Sequence, residues 1–398
     1  MDLLTTQKKD LILQSVKENL ADRRVEIIAE NKKDLELARG LDQAMYDRLV
    51  INDKKVDGMI KAVDDIIRDD DPVGKDLYNY THPNGMRVIN RTAPFGTIFI
   101  IYESRPDVTI EAAMVAFKSN NKILLKGGKE AVHSNKILVD CWHEALEKHG
   151  LDRDWVQLLV LDRSATQAFL REPDTTIDLI VPRGGDGLIN FVKAHATCPV
   201  LISGRGNNFL YVDGTAELEQ TLDIIVNAKT DKISACNALD KVLIDKGRNN
   251  LAQFTSALIE RLSEEKVEVL VADQINIDGL QAKVVDIRQE WSEEYLAMKI
   301  AIGLVDDLSE AIGLINQHSG GHSATVITNE KDVAERFMNE VDAAAVYHNV
   351  STRFTDGGQF GMGAELAIST DKLHHRGPLG LHELVTNKWY IYGEGQTR

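Results

Sequence analysis

At 398 residues the chain exceeds what one ordinary hydrophobic core organises, so two or three domains are expected. With 43% hydrophobic and 27% charged residues it reads as a folded globular chain, not a disordered one. The net charge of −16, from 46 Lys and Arg against 62 Asp and Glu, argues against nucleic acid or an anionic membrane as partner.

An anionic ligand would therefore need a local basic pocket. No stretch has the length and apolarity of a membrane span, and Met1-Asp2-Leu3-Leu4 begins no signal peptide. Cys141, Cys198 and Cys236 form neither a CxxC pair nor a disulfide framework. A reducing, cytoplasmic setting is expected, and it leaves a thiol available for chemistry.

Up to the break at Asp69-Asp70-Asp71-Pro72 the chain reads as helical. Leu11, Ile12, Val16 and Leu20 mark one apolar stripe; Val25, Ile28, Leu35 and Ala38 mark a second, stopped by Gly40. Asn84-Gly85, between two runs rich in Tyr, Thr, Val and Ile, predicts a β-hairpin with positive φ at both central residues. Such a hairpin has little core of its own to cover, and is expected to meet a partner subunit.

From Gly96 to about Asp213 short apolar runs at 97–101, 123–125, 156–160, 177–181 and 200–202 alternate with helical patterns. That alternation predicts a parallel, doubly wound sheet whose ligands sit at the carboxyl ends of strands. Two glycine loops fall at that edge, Lys126-Gly127-Gly128-Lys129 and Pro182-Arg183-Gly184-Gly185. Each opens a helix whose N–H groups could hold phosphate, and each reads equally well as a plain turn. Neither matches GxGxxG.

A second βα series follows, with strands at 242–244, 267–271, 300–305 and 325–328. A glycine-rich, polar segment, NVSTRFTDGGQFGMG at 349–363, precedes a final strand at 385–392. Between the two series lies NAKTDKISACNALD, residues 227–240. It places Cys236 on a polar loop between a helix and a strand, where a thiol can be exposed and aimed. Lys229 and Lys232 are close in sequence, and a nearby cation favours the thiolate. The alternative is a small cysteine that merely packs.

The segments APFGTIFIIYESRPDVTIEAA, LLKGGKEAVHSN, IVPRGGDGLI, NAKTDKISACNAL, EVDAAAVYHNVSTRFTDGGQFGMGAELAIST and KLHHRGPLGLHEL occur in this order over nearly the whole chain. They resemble the gamma-glutamyl phosphate reductases (glutamate-5-semialdehyde dehydrogenases) of the aldehyde dehydrogenase superfamily. YESRP, and STRFTDG followed by FGMGAE, are the most specific of them.

The resemblance implies an aldehyde dehydrogenase-like α/β fold: two doubly wound α/β domains and a small β oligomerisation element. The expected division is a helical part of the cofactor domain at 1–75, the hairpin at 76–93, the cofactor-binding domain at 94–215, and the catalytic domain at 216–350. A return segment at 351–384 and the last oligomerisation strand at 385–398 complete it. It further implies NADPH-dependent reduction of L-glutamyl 5-phosphate to L-glutamate 5-semialdehyde with release of phosphate, a step of proline biosynthesis, in a homo-oligomer. Whether the chain works alone or docked to glutamate 5-kinase stays open.

By the same resemblance Cys236 is the nucleophile, with its own N–H and Ser104 as oxyanion donors; a turn serine is the other reading of Ser104. Arg105 would hold the phosphate or the substrate carboxylate, or simply form a surface salt bridge. Lys126 and Lys129, with no acid between them, together with Arg183, Gly184 and Gly185, would contact the cofactor. Glu294 falls on the glutamate that holds the nicotinamide ribose; a solvated helix or loop acid is the other reading. Ser351, Thr352 and Arg353, in a mobile-looking loop, are candidates for the amino-acid end of the substrate; no metal site is expected.

Two departures stand out. Ala324 replaces an acidic residue usual after a His-Ser or His-Thr pair, and Asn208-Phe209 stands where a Cys-His pair is commoner. Ile202 occupies the place of the glutamate that, in oxidising members, activates water to hydrolyse the thioester. Competing readings are an oxidising or CoA-acylating aldehyde dehydrogenase, a cysteine acyltransferase or hydrolase, and a non-catalytic scaffold. None of the 11 histidines stands in a thiol-protease or transferase context.

Overall fold

The structure is a computed structural model that describes residues 3–40 and 43–398. The chain forms two compact units. One extends to Ile202 and takes up 361–367 and 378–398; the other comprises Ser203–Phe360 and Ile368–Gly377.

The first unit opens with helices. In α1 (Thr6–Asp22) the Thr5 hydroxyl accepts the Lys8 N–H and so caps the first turn. The buried face is Ile12, Leu13, Val16 and Leu20, while Leu11 of the expected stripe is exposed. Leu13, Val16 and Leu20 keep the helical spacing, and Leu11 falls off that face. Helix α2 (Arg24–Leu37) buries Ile27, Asn31 and Asp34 and leaves Val25 exposed. Its inner face is half polar because Asn31 donates to Leu49 O and Ser134 Oγ, so apolar periodicity alone misplaces it. Helices α3 (Gln43–Leu49) and α4 (Asp53–Arg68) follow, the latter capped by Asn52.

Strands β1 (Asp76–Thr81) and β2 (Arg87–Pro94) form the hairpin, and the last strand, Val385–Tyr392, pairs with β2. The turn is wider than a two-residue one. Gly85 N–H donates to His82 O, His82 N–H to Met86 O, and only Gly85 of the Asn-Gly pair has positive φ.

The αβ series of this unit is β3 (Thr97–Tyr102), α5 (Asp107–Lys118), β4 (Lys122–Lys126), α6 (Val132–Lys148), β5 (Val156–Leu158), α7 (Arg163–Arg171), β6 (Leu179–Arg183) and α8 (Asp186–His195). The parallel sheet has the order β5-β4-β3-β6. Alternate residues of β3 enter different cores, Ile98 and Ile100 one, Phe99 and Ile101 the other. That is why the strand is apolar from Ile98 to Ile101. The strand expected at 200–202 is a single bridge, Val200 to Ile180.

The second unit holds β7 (Asn208–Val212), α9 (Leu218–Thr230), β8 (Leu239–Asp245), α10 (Leu251–Glu264), β9 (Glu268–Val271), β10 (Lys283–Val284), α11 (Ile287–Glu290), β11 (Lys299–Val305), α12 (Leu308–His318), β12 (Ser323–Ile327), α13 (Lys331–Glu340) and β13 (Ala345–His348). Its parallel sheet runs β10-β9-β11-β8-β7-β12-β13. Strand β7 lies between β8 and β12, so the units part at Ile202 and Ser203, ahead of the break expected at 215.

Candidate active site

Within the second unit the candidate residues gather at the amino ends of the strands. Gly206 and Asn207 precede β7, Cys236 precedes β8, Glu294 precedes β11, and His322 precedes β12. Cys236 is half-buried in a turn between α9 and β8. The other thiols suit packing. Burial in the first core pushes Cys141 up to about 12, and burial also raises Cys198, which packs on the apolar cluster around Phe99 and Phe169.

Neighbouring backbone fixes the turn. A Cβ on Gly206 would collide with the Cys236 carbonyl, so only glycine fits there. The Asn208 side chain donates to Cys236 O at 2.8 Å and Ala238 O at 2.7 Å. On the far side the Asn237 amide donates to Arg353 O (3.1 Å) and Thr355 O (2.9 Å).

Lys229 is paired with an acid. It is fully buried with Nζ 2.8 Å from Asp240 Oδ1, and Lys232 lies exposed. Burial pulls Lys229 below the usual lysine range, with the Asp240 charge opposing. Asp240 also accepts the Tyr295 N–H at 2.9 Å, and the next residue, Lys241, donates to Glu293 O at 2.6 Å. Two consecutive residues of β8 thus anchor the backbone on both sides of Glu294. The Glu294 Oε1 accepts the Gly206 N–H at 3.0 Å, joining it to the segment that packs on Cys236.

Ser351, Thr352 and Arg353 are also brought to this turn, in an ordered arrangement, not a loose loop. Ser351 caps the short helix Thr352–Phe354. The Thr352 hydroxyl donates to Asn237 O at 2.8 Å, and Arg353 reaches both Asn237 Oδ1 and Asp231, the latter at 2.9 Å. These side chains hold the residue next to Cys236. The two departures noted above are one structural event: Phe209 and Ala324 are register partners on β7 and β12, buried in one apolar cluster.

In the first unit a cavity of about 810 Å³ opens at the carboxyl ends of β4 and β5. Lys126, Gly127, Gly128 and Lys129 line it, with Leu158 to Leu161 and Phe191 giving an apolar wall. Arg163, at the start of α7 and stacked over the Phe191 ring at 5.5 Å, adds a third cation that sequence reasoning passed over. The pocket is not free of acids, since Glu103, Glu130 and Asp162 also line it. Two of these are engaged elsewhere: Asp162 caps α7, and Glu130 Oε1 accepts from both Ser104 N and Ser104 Oγ at 2.8 Å. A dinucleotide's adenosine end fits a cavity of this size and lining.

Gly184 lies close to Glu103, with a Cβ there 2.6 Å from Oε2, and Gly185 caps α8; the lining reaches that helix at Gly187 and Leu188. The α6 N-terminus is not open to phosphate. Asp34 accepts from His133 N at 3.1 Å and Ser134 N at 2.8 Å, taking the place an anion would occupy. Ser104 is buried with φ of +44°, its hydroxyl directed to Glu130. Arg105 reaches Asp107 at 3.4 Å, the salt-bridge alternative. Among the described residues no group of three or more metal-ligating side chains forms, and no helix is long and apolar enough to cross a membrane.

The aldehyde dehydrogenase family model matches residues 6–279 and 282–366. A gamma-glutamyl phosphate reductase of Clostridium perfringens is 41% identical over 401 residues, covering 100% of this chain and 96% of the relative. The crystal structure of gamma-glutamyl phosphate reductase from Thermotoga maritima is similar with a TM-score of 0.94 at 41% identity, covering 99% of this chain and 95% of that one. An acetylating aldehyde dehydrogenase from Geobacillus thermoglucosidasius, at 16% identity and a TM-score of 0.71, shares the fold. The chain belongs to the aldehyde dehydrogenase family, among its gamma-glutamyl phosphate reductases.

Proposed function

We propose that the chain reduces L-glutamyl 5-phosphate to L-glutamate 5-semialdehyde with NADPH through a thioester on Cys236. The observation that carries this is the Cys236 turn, held from both sides through the Cys236 carbonyl and the Asn237 side chain, in a chain that matches gamma-glutamyl phosphate reductases over its length. An acyl phosphate is already activated, so the site needs a nucleophile more than an acid. The Cys236 thiolate attacks the acyl carbon and expels phosphate. Bound NADPH supplies the hydride that takes the thioester to a thiohemiacetal, which collapses to the aldehyde.

The Cys236 N–H stabilises the oxyanion of both tetrahedral species. Ser104 can serve as a donor only by exchanging its bond with Glu130. Lys126, Lys129 and the Arg183-Gly184-Gly185 loop hold the phosphates of the cofactor, and Glu294 holds its nicotinamide ribose. Ser351, Thr352 and Arg353 support the turn, and Arg105 meets the substrate's anionic end. A cytoplasmic homo-oligomer is the setting this reading implies, with or without glutamate 5-kinase docked.

Cys236→Ser tests the reading. Turnover should fall by at least about 1,000-fold, roughly 4 kcal/mol of barrier, while NADPH binding and the melting temperature stay at parent values. A variant within a few-fold of parent activity would remove Cys236 from the mechanism. Cys141→Ser and Cys198→Ser should be nearly silent in turnover.

A further inference from the structure

We propose that Asn208 is the positioning residue of the nucleophile: its amide sets the orientation of the Cys236 turn and so aims both the thiol and the Cys236 N–H. This rests on the reading of Cys236 as nucleophile. Asn208 is fully buried at the first position of β7, ahead of Phe209, Leu210, Tyr211 and Val212. A buried amide in an apolar strand is costly unless its hydrogen bonds are made. Here they are made to the Cys236 turn.

The Nδ2 lies 2.8 Å from Cys236 O, 2.7 Å from Ala238 O and 2.8 Å from Gly206 O. Two N–H bonds serve three carbonyls, so at least one is shared. The Oδ1 accepts the Ser323 N–H at 3.0 Å, which ties the amide to β12 and fixes which way it faces.

From Ser323 the contacts return to the turn. Its Oγ lies 2.7 Å from Thr355 Oγ1, and Thr355 O accepts from the Asn237 side chain at 2.9 Å. Cys236 O, Asn208, Ser323, Thr355 and Asn237 therefore make a closed ring around one peptide unit. Asn208 and Thr355 each bond to both the turn and Ser323 of β12, and within this ring Asn208 is the one that reaches the Cys236 carbonyl. Gly206 packs closely on the same carbonyl. Displacing a nucleophile by about 1 Å can cost roughly 100-fold in rate, so such a ring bears on catalysis as well as stability.

The test uses the full chain, with iodoacetamide as the probe of Cys236, its alkylation followed by mass spectrometry across pH. It is read beside kcat and KM for phosphate-dependent oxidation of glutamate semialdehyde. Asn208→Ser shortens the donor out of reach; Asn208→Asp keeps the shape and replaces the donor with an acceptor. Both should lose kcat, the Asp variant by about 100-fold, on the scale of that displacement. KM for NADP+ should stay within twofold of the parent, and the pH profile of Cys236 alkylation should move.

A folded variant with parental kcat and alkylation, differing only in melting temperature, overturns the assignment. Failure of both variants to fold also overturns it, because Asn208 would then hold the sheet instead of the turn. If the parent's turnover survives Cys236→Ser, the nucleophile reading fails. The alkylation profile, which needs no turnover, still reports whether Asn208 sets the turn.

Discussion

His322 and Ser323 are bonded to each other side chain to side chain, Nδ1 to Oγ at 2.7 Å, inside the second unit. The hydroxyl contacts continue through Thr355 Oγ1 to Tyr347 OH, each at 2.7 Å. His322 is completely buried, its Nε2 has no hydrogen-bond partner among the described residues, and burial lowers its pKa to about 4. It is therefore neutral in the folded chain at neutral pH.

The consequence is a stability slope in mild acid. The unfolded histidine takes up its proton near its ordinary value of about 6.5 while the folded one resists it down to about 4. Stability is full above the upper value and is lost as pH falls through that window, by about 3 kcal/mol in all. Urea unfolding of the parent and of His322→Gln at several pH values checks this. The variant should lose most of the slope between these limits; an unchanged slope would assign it to other groups.

Cofactor choice rests on the three cations of the first unit's cavity. Under the proposed reading Lys126, Lys129 and Arg163 meet the 2′-phosphate of NADPH, while the Asp162 and Glu130 carboxylates are held at the α7 cap and Ser104. NADPH should bind more tightly than NADH in a fluorescence titration. Lys129→Glu and Arg163→Gln should each narrow that preference by about tenfold, the scale of one charge-assisted hydrogen bond. A parent that binds NADH as well as NADPH would contradict the site assignment.

The three-stranded sheet carries an exposed apolar face. Tyr78, Asn90 and Trp389 form one cross-strand row, Tyr80, Val88 and Ile391 the next, with the Tyr78 and Trp389 rings 5.8 Å apart. Trp389 and Ile391 are each more than half exposed. A face of this kind is expected to be a pairing surface for a second copy of the chain. Light scattering should find the parent oligomeric and a Trp389→Asp, Ile391→Asp double variant with a lower mass; an unchanged mass would remove the sheet from that role.

Legibility in the sequence followed the physics of each feature. Apolar runs such as Ile98 to Ile101 of β3 and Val242 to Ile244 of β8 were readable because both faces are buried and each residue in the run is apolar. The place of Cys236 in a turn between helix and strand was readable from the polar run that separates the two. Polar burial was not readable: Asn31, Asp34 and Lys229 look like surface residues until Ser134, the α6 N-terminus and Asp240 are brought to them across the fold. Sequence spacing did not show that Lys229 is buried against Asp240, since spacing alone does not set which way a helical side chain points. Asn208-Phe209 and Ala324 looked like separate departures because the register that pairs β7 with β12 is a tertiary fact.

The most direct measurement of the central claim is the phosphate dependence of the reverse reaction. Ile202 cannot accept a proton, so no base at that position activates water, and the thioester on Cys236 should wait for phosphate. The enzyme is mixed with NADP+ and glutamate semialdehyde, and NADPH is followed by absorbance with and without phosphate. The account predicts a sub-stoichiometric burst that stops in the absence of phosphate and restarts when phosphate or arsenate is added. Sustained NADPH formation with neither anion present would show a working hydrolytic base and contradict the reductase reading.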